Sequence, residues 1–202
     1  MTVRAAAVTP SSFGGTWMQG AQRVEVAHGS LVAPEWGDVS IREEPLCSAT
    51  ALPLLARLNA ELSERYPGET YAARLSPADF AAPRGTFLVA RFGDNTVGCG
   101  ALRPWGGETA EIKRMYVDPR ARRLGVARRL LALLEATARQ LGYERVRLET
   151  GPRQFEAVRL YESAGYQRAT IAAEGSGTGR AAWYEKDLYP DDADEHDESR
   201  AG

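Results

Sequence analysis

The chain predicts one mixed α/β domain, an α+β arrangement with a central, mostly antiparallel sheet and helices on both faces. Two observations carry this. Three β-favouring runs follow one another between residues 86 and 117, separated only by short turn signals, as in an antiparallel meander. Segments with apolar residues at three-and-four spacing stand before and after them, over residues 48–66 and 126–141, which supplies amphipathic helices to cover the sheet.

The bulk properties set the limits. A length of 202 residues suits a single buried core, and 44% apolar with 26% charged residues is the balance of a globular protein. No apolar run approaches the roughly 20 residues that span a bilayer, and the brief patch at residues 5–8 is shorter than the roughly 7 to 15 residues of a secretion signal. The expected location is therefore cytoplasmic, with no membrane association. Cys47 and Cys99 lack metal-ligand spacing, and His28 and His196 are the only histidines, so no metal site is expected. The same poverty of histidine excludes a Ser-His-Asp or Cys-His hydrolase and leaves base work to carboxylates, tyrosine or water.

A net charge of -2 conceals a division within the chain. Residues 191–199, DDADEHDES, hold six acidic side chains; before residue 191 there are 24 basic and 21 acidic residues, a mildly basic body. Residues 190–202 are expected to be a solvated, disordered acidic tail. Residues 1–38 show no sustained period and are expected to be a flexible or peripheral leader, although VEVAHGSLVA at 24–33 has the pattern of a hairpin arm. The folded domain is expected over residues 39–189.

Within it, DVSIRE at 38–43 alternates as a first strand. SATALPLLARLNAELSERY at 48–66 follows as a helix, with Ser48 or Thr50 as cap and Pro67-Gly68 as its stop. SPADF at 76–80 has the Ser cap and first-turn proline of a short helix. TFLVARF and TVGCGALR flank the turn Gly93-Asp94-Asn95, and Pro104-Trp105-Gly106-Gly107 turns the chain into TAEIKRMYV. Gly98 and Gly100 mark either a close backbone approach or space beneath a packed helix. Strict alternation in the third run sets Glu111, Lys113, Met115 and Val117 on one face, with Ile112, Arg114 and Tyr116 on the other.

After the stop at Asp118-Pro119 comes RARRLGVARRLLALLEATARQLG, an amphipathic helix closed by Gly142. Its start holds an electrostatic anomaly. Arg120, Arg122, Arg123, Arg128 and Arg129 crowd the end where the helix dipole disfavours cations. An anion bound there would resolve the conflict, because exposed N–H groups and guanidinium forks both donate to phosphate oxygens, and Gly125 permits close approach. The loop is neither a Walker loop nor a dinucleotide fingerprint.

With YVDP before it, a helix and strand after it, and VRLYESAGY at 158–166, the loop RRLGVA resembles the acyl-CoA loop [RQ]-x-x-G-x-[GA] of the GNAT superfamily of N-acyltransferases. The resemblance implies a GNAT fold with one splayed parallel strand pair and acetyl-CoA as cosubstrate. Backbone groups of Met115, Tyr116 and Val117 would pair with the pantetheine arm. The N–H groups of Arg122, Arg123, Leu124, Gly125, Val126 and Ala127 would cradle the pyrophosphate, with neighbouring arginines adding charge. Tyr161 would protonate the departing thiolate, and Glu111 would serve as base, with Glu149 as runner-up. Gln154 stands where many members carry an asparagine that contacts CoA, and its longer amide reaches for the same bond.

The implied function is transfer of an acetyl group to a primary amine of a small metabolite, by direct attack in a ternary complex. The alternatives are a catalytically silent CoA-binding module and an acetyltransferase for protein N-termini or lysines. A homodimer is compatible with this reading. Nucleic acid is not an expected partner, since no recognition helix or aromatic platform accompanies the arginines and the tail is acidic. Tyr66, Tyr71 and Phe80 are candidate walls of the acceptor pocket, with Trp183 and Tyr184 either in the core or lining it.

Overall fold

A computed structural model of the chain describes residues 16–19, 22–25, 39–68, 76–169 and 181–189. Strands β1 (Thr16–Gln19) and β2 (Gln22–Glu25) pair antiparallel as a separate hairpin. It forms earlier in the chain than the expected arm, most of which lies outside the described residues, as does the acidic tail.

The body is a seven-stranded sheet in the order β3-β4-β5-β6-β7-β9-β8. Its strands are β3 (Val39–Glu43), β4 (Thr86–Phe92), β5 (Asn95–Gly106), β6 (Thr109–Val117), β7 (Arg145–Thr150), β8 (Gln167–Ala169) and β9 (Ala182–Asp187). Every neighbouring pair is antiparallel except β6 with β7. That parallel pair is what the intervening helix α2 (Val126–Gln140) makes possible, since parallel strands need a long crossover.

Helix α1 (Ala51–Arg65) covers one face, where Leu54, Leu55 and Leu58 meet Phe87, Val89, Cys99, Ala101 and Tyr116. The Ser48 hydroxyl caps it by accepting the Ala51 N–H at 3.0 Å. On the other face α2 and α3 (Phe155–Ser163) bury Leu130, Leu131, Leu134 and Tyr161 against Leu88, Leu102, Ile112 and Leu148. Each fully buried leucine contributes about 1.5–3 kcal/mol, so the two helices are fixed chiefly by their apolar stripes. Residues 77–80 form a short 3-10 turn, and Phe80 is core.

Strict alternation along β6 is corrected by a bulge. Ala101 faces Lys113 and Cys99 faces Tyr116, so Gly100 opposes both Arg114 and Met115. Arg114 takes up the extra residue in the left-handed region, at φ 57. Beyond it the faces exchange: Met115 and Val117 pack with Ile112 on the α2 side, while Tyr116 joins the α1 side. Gly98 and Gly100 serve both purposes named for them. A Cβ on Gly98 would stand 2.8 Å from the Tyr116 carbonyl oxygen, and one on Gly100 would stand 2.7 Å from Met115 Sδ and 2.9 Å from Leu134 Cδ1.

Candidate active site

The ladder between β6 and β7 ends early. Thr109 to Ile112 pair with Arg145 to Leu148, after which β6 continues to Val117 and β7 to Thr150 without each other. The two strands splay, and the β7-facing backbone edge of Met115, Tyr116 and Val117 is left without a strand partner. At the end of that edge, Asp118 returns its N–H to the Val97 carbonyl at 2.8 Å and a short 3-10 turn, Pro119–Ala121, leads into the arginine loop.

In the loop, Arg123 and Gly125 both sit in the left-handed region, at φ 64 and φ 77. Gly125 is the cap residue of α2, and the first helical bond runs from the Arg129 N–H to the Gly125 carbonyl at 3.1 Å. The N–H groups of Val126, Ala127 and Arg128 are therefore the orphan donors of the first turn. Those of Arg123, Leu124 and Gly125 have no acceptor among the described residues either. Six consecutive donors at a helix N-terminus form a cradle suited to an anion.

The arginines are mostly otherwise engaged. Arg120 binds Asp118 side-on, with Nε and Nη2 each 2.9 Å from one carboxylate oxygen. Arg122 donates to the Val117 carbonyl at 3.0 Å and to Glu61 of α1 at 2.5 Å. Arg128 donates to the Ser163 hydroxyl at 2.9 Å, and buried Arg129 to the Val39 carbonyl at 3.2 Å. Among the described residues Arg123 alone of the five keeps an unengaged guanidinium. Much of the charge conflict read from the sequence is thus answered by Glu61 and Asp118 of the chain itself.

Tyr161 is buried on the α2 side of the sheet, beside Tyr166 and Tyr184 at 5.8 and 6.5 Å between ring centroids. Burial pushes its phenol well above the ordinary value, and its hydroxyl makes no hydrogen bond among the described residues. Gln154 turns its Oε1 inward, accepting from the Gly151 N–H at 2.9 Å and the Thr150 hydroxyl at 3.3 Å. Its amide nitrogen makes no hydrogen bond among the described residues.

Glu111, expected as the base, lies inside the β6–β7 ladder opposite Arg147. It is fully buried, and both carboxylate oxygens are taken by cations: Arg103 reaches Oε2 at 2.7 and 2.6 Å, and Lys113 reaches Oε1 at 2.6 Å. Glu149 lies on the same face of β7, one residue beyond the last ladder pair, half-buried and with no ion pair or hydrogen bond among the described residues. Of the expected pocket walls, Tyr66 is buried and accepts the Arg153 N–H at 2.9 Å, and Phe80 belongs to the core; Tyr71 lies outside the described residues. Trp183 and Tyr184 divide between faces, Trp183 beside Arg147 and Tyr184 in the core under α3.

Burial also pushes the Cys99 thiol up to about 12, so it is no nucleophile at neutral pH. Among the described residues there is no cluster of metal-ligating side chains, and no helix is long and apolar enough to cross a membrane.

A splayed parallel pair whose open edge leads to an anion cradle at a helix start is a groove suited to an extended ligand with an anionic end. Residues 54–166 match the acetyltransferase (GNAT) family, and the chain belongs to that family of acetyl-CoA-dependent N-acetyltransferases. It is 39% identical over 126 residues to the IAA acetyltransferase of Azospirillum brasilense, covering 62% of this chain and 81% of that protein. To the uncharacterized N-acetyltransferase YsnE of Bacillus subtilis it is 44% identical over 87 residues, or 42% and 58% of the two chains. The crystal structure of an acyl-CoA N-acyltransferase from Klebsiella pneumoniae superposes with a TM-score of 0.62 at 32% identity, over 74% of this chain and 97% of that one.

Proposed function

We propose that the chain transfers the acetyl group of acetyl-CoA to the primary amine of a small metabolite, by direct attack in a ternary complex. The observation that carries this is the splay after Ile112 and Leu148, with the cradle of Arg123 to Arg128 at one end and Glu149 and Tyr161 on opposite faces. The open edge of Met115, Tyr116 and Val117 holds the pantetheine arm, the cradle and Arg123 hold the diphosphate, and the amide nitrogen of Gln154 adds a contact. Bound there, acetyl-CoA supplies an activated carbonyl and a thiolate leaving group.

The chain's own part is proton management. Glu149 accepts the proton that the amine must lose, and the Tyr161 hydroxyl gives its proton to the sulfur as the carbon–sulfur bond breaks. The raised pKa of Tyr161 keeps the phenol protonated, as an acid must be. We assign the base to Glu149 rather than Glu111, because both oxygens of Glu111 are occupied and Glu149 has free lone pairs at the mouth of the splay. Glu111 becomes the charge that positions Arg103 and Lys113.

An acetylation screen over a panel of amines, followed by initial rates with both substrates varied, tests the reading. Intersecting lines are expected; parallel lines would indicate an acyl-enzyme and overturn direct attack. Tyr161→Phe and Glu149→Gln are each expected to lower kcat about a hundredfold or more, with the KM for acetyl-CoA changed less than about twofold. Wild-type turnover in either variant would remove that residue from the chemistry. Glu111→Gln is expected to lower Tm more than it lowers kcat, and the reverse would return the base to Glu111.

A further inference from the structure

On the α1 side of the sheet, Arg147 of β7 is 7% exposed and packs against a pair of tryptophans. Its guanidinium carbon lies 4.2 Å from the Trp105 ring centroid and 4.7 Å from that of Trp183. The two rings meet edge to face at 5.3 Å. Cation–π contact of this kind holds the guanidinium against the rings and orients its plane. It does nothing for the N–H groups, which lie in that plane.

Two of those groups are orphaned. Nε and Nη2 are buried with no hydrogen-bond partner; the nearest anion, Glu185 Oε1, is 3.5 Å from Nη2, within ion-pair range but without a hydrogen bond. Nε and Nη2 are the two donors of one edge, the edge that grips a carboxylate side-on. The same edge is filled elsewhere in this chain, in Arg120 on Asp118 and in Arg103 on Glu111. A buried charged donor pair left unmade is a cost that folded proteins rarely carry without a reason.

Position supplies the reason. Arg147 is the last residue of its face inside the β6–β7 ladder, paired with Glu111, and the next residue on that face is Glu149. Strand geometry sets the two about 7 Å apart along the chain, at the mouth of the splay. An unfilled donor edge and a half-buried carboxylate thus stand on one face at the mouth of the splay.

Building on the assignment of Glu149 as base, we propose that Arg147 is the specificity residue for an acceptor that is an amino acid: its carboxylate docks on the Nε–Nη2 edge while its amine faces Glu149. A carboxylate fits better than a phosphate, because the Nε–Nη2 edge offers two parallel donors for two coplanar oxygens, and Glu149 and Glu185 already place negative charge beside it. The fork selects against amines that lack an acid group, such as polyamines.

Matched pairs test this: amino acids and the amines formed by removing their carboxyl group, each measured for acetylation rate and for thermal stabilisation of the CoA-bound protein. The acid of a pair is expected to have a kcat/KM at least tenfold above its decarboxylated partner. Arg147→Lys, which keeps the charge and loses the fork, is expected to raise KM for the acid tenfold or more with kcat within about twofold, leaving the decarboxylated amine unaffected. Equal rates for the two members in the wild-type protein would overturn the proposal whatever the variant does. So would an Arg147→Lys effect of equal size on both members, which marks a packing residue. Acids that stabilise the protein through Arg147 but are never acetylated would leave the fork standing and sink the transfer reading; no preference for acids in either readout would sink the fork.

Discussion

Arg123 differs from its neighbours because nothing in the described chain claims its charge. A guanidinium that pairs with a bound diphosphate is worth roughly 1.5–3 kcal/mol, while an exposed one without a ligand contributes almost nothing to folding. Arg123→Glu is therefore expected to leave the melting temperature of the free protein unchanged and to weaken acetyl-CoA binding about tenfold or more, read as a smaller ligand-induced shift in Tm. Arg122→Glu is expected to lower the free protein's stability as well, by about 1 kcal/mol, because it turns the contact with Glu61 into repulsion. An undiminished shift in Arg123→Glu would detach the loop from the diphosphate. The cradle itself was legible in the sequence, since cations at a helix start demand an anion. Which anion was not legible for each arginine, because Glu61 lies on another helix and meets Arg122 only after α1 has docked.

The bulge in β6 sets which way the side chains of the open edge face. It turns Met115 and Val117 toward α2 and Tyr116 toward α1, and it is accommodated by glycines on the neighbouring strand. Gly100→Ala is expected to cost about 1–3 kcal/mol, since the added methyl meets Met115 and Leu134 in a packed core. The urea midpoint should fall with an unchanged slope, and acetyl-CoA affinity should fall with it, because relief of the clash moves the strand proposed to hold the pantetheine. A midpoint drop with unaltered affinity would separate the bulge from the site. The strands and helices could be read from their periods, but the bulge could not: its strained residue is an arginine, and the only trace lay in Gly98 and Gly100 across the ladder. The pairing of Glu111 was hidden for the same kind of reason. Arg103 is eight residues away in sequence and directly opposite only once the register is known. Arg147 and Glu149 stand two residues apart on one face of β7, but the tryptophans against which Arg147 packs come from β5 and β9.

Asp118 joins parts of the molecule that are distant in sequence. It accepts from Arg120 in the loop, pairs with Arg57 of α1 at 3.2 Å, and follows directly on the last residue of β6. The side-chain hydrogen bonds from Arg120 are the main cause holding its carboxyl down to about 2, against an ordinary 3.8, with burial opposing them. A depressed folded-state value means that the unfolded chain takes up the proton first. The stabilisation is then fully present above pH 4, declines as the pH falls from about 4, and is gone once it passes below about 2. Asp118→Asn is expected to lower stability at pH 7 by about 1–3 kcal/mol, through the lost charge-assisted bonds of a buried acceptor, and to flatten the acid limb over that window. Urea midpoints collected between pH 2 and pH 7 for both proteins check this. The two curves should converge toward pH 2, whereas a constant offset down to pH 2 would show that the residue acts through packing rather than through its charge.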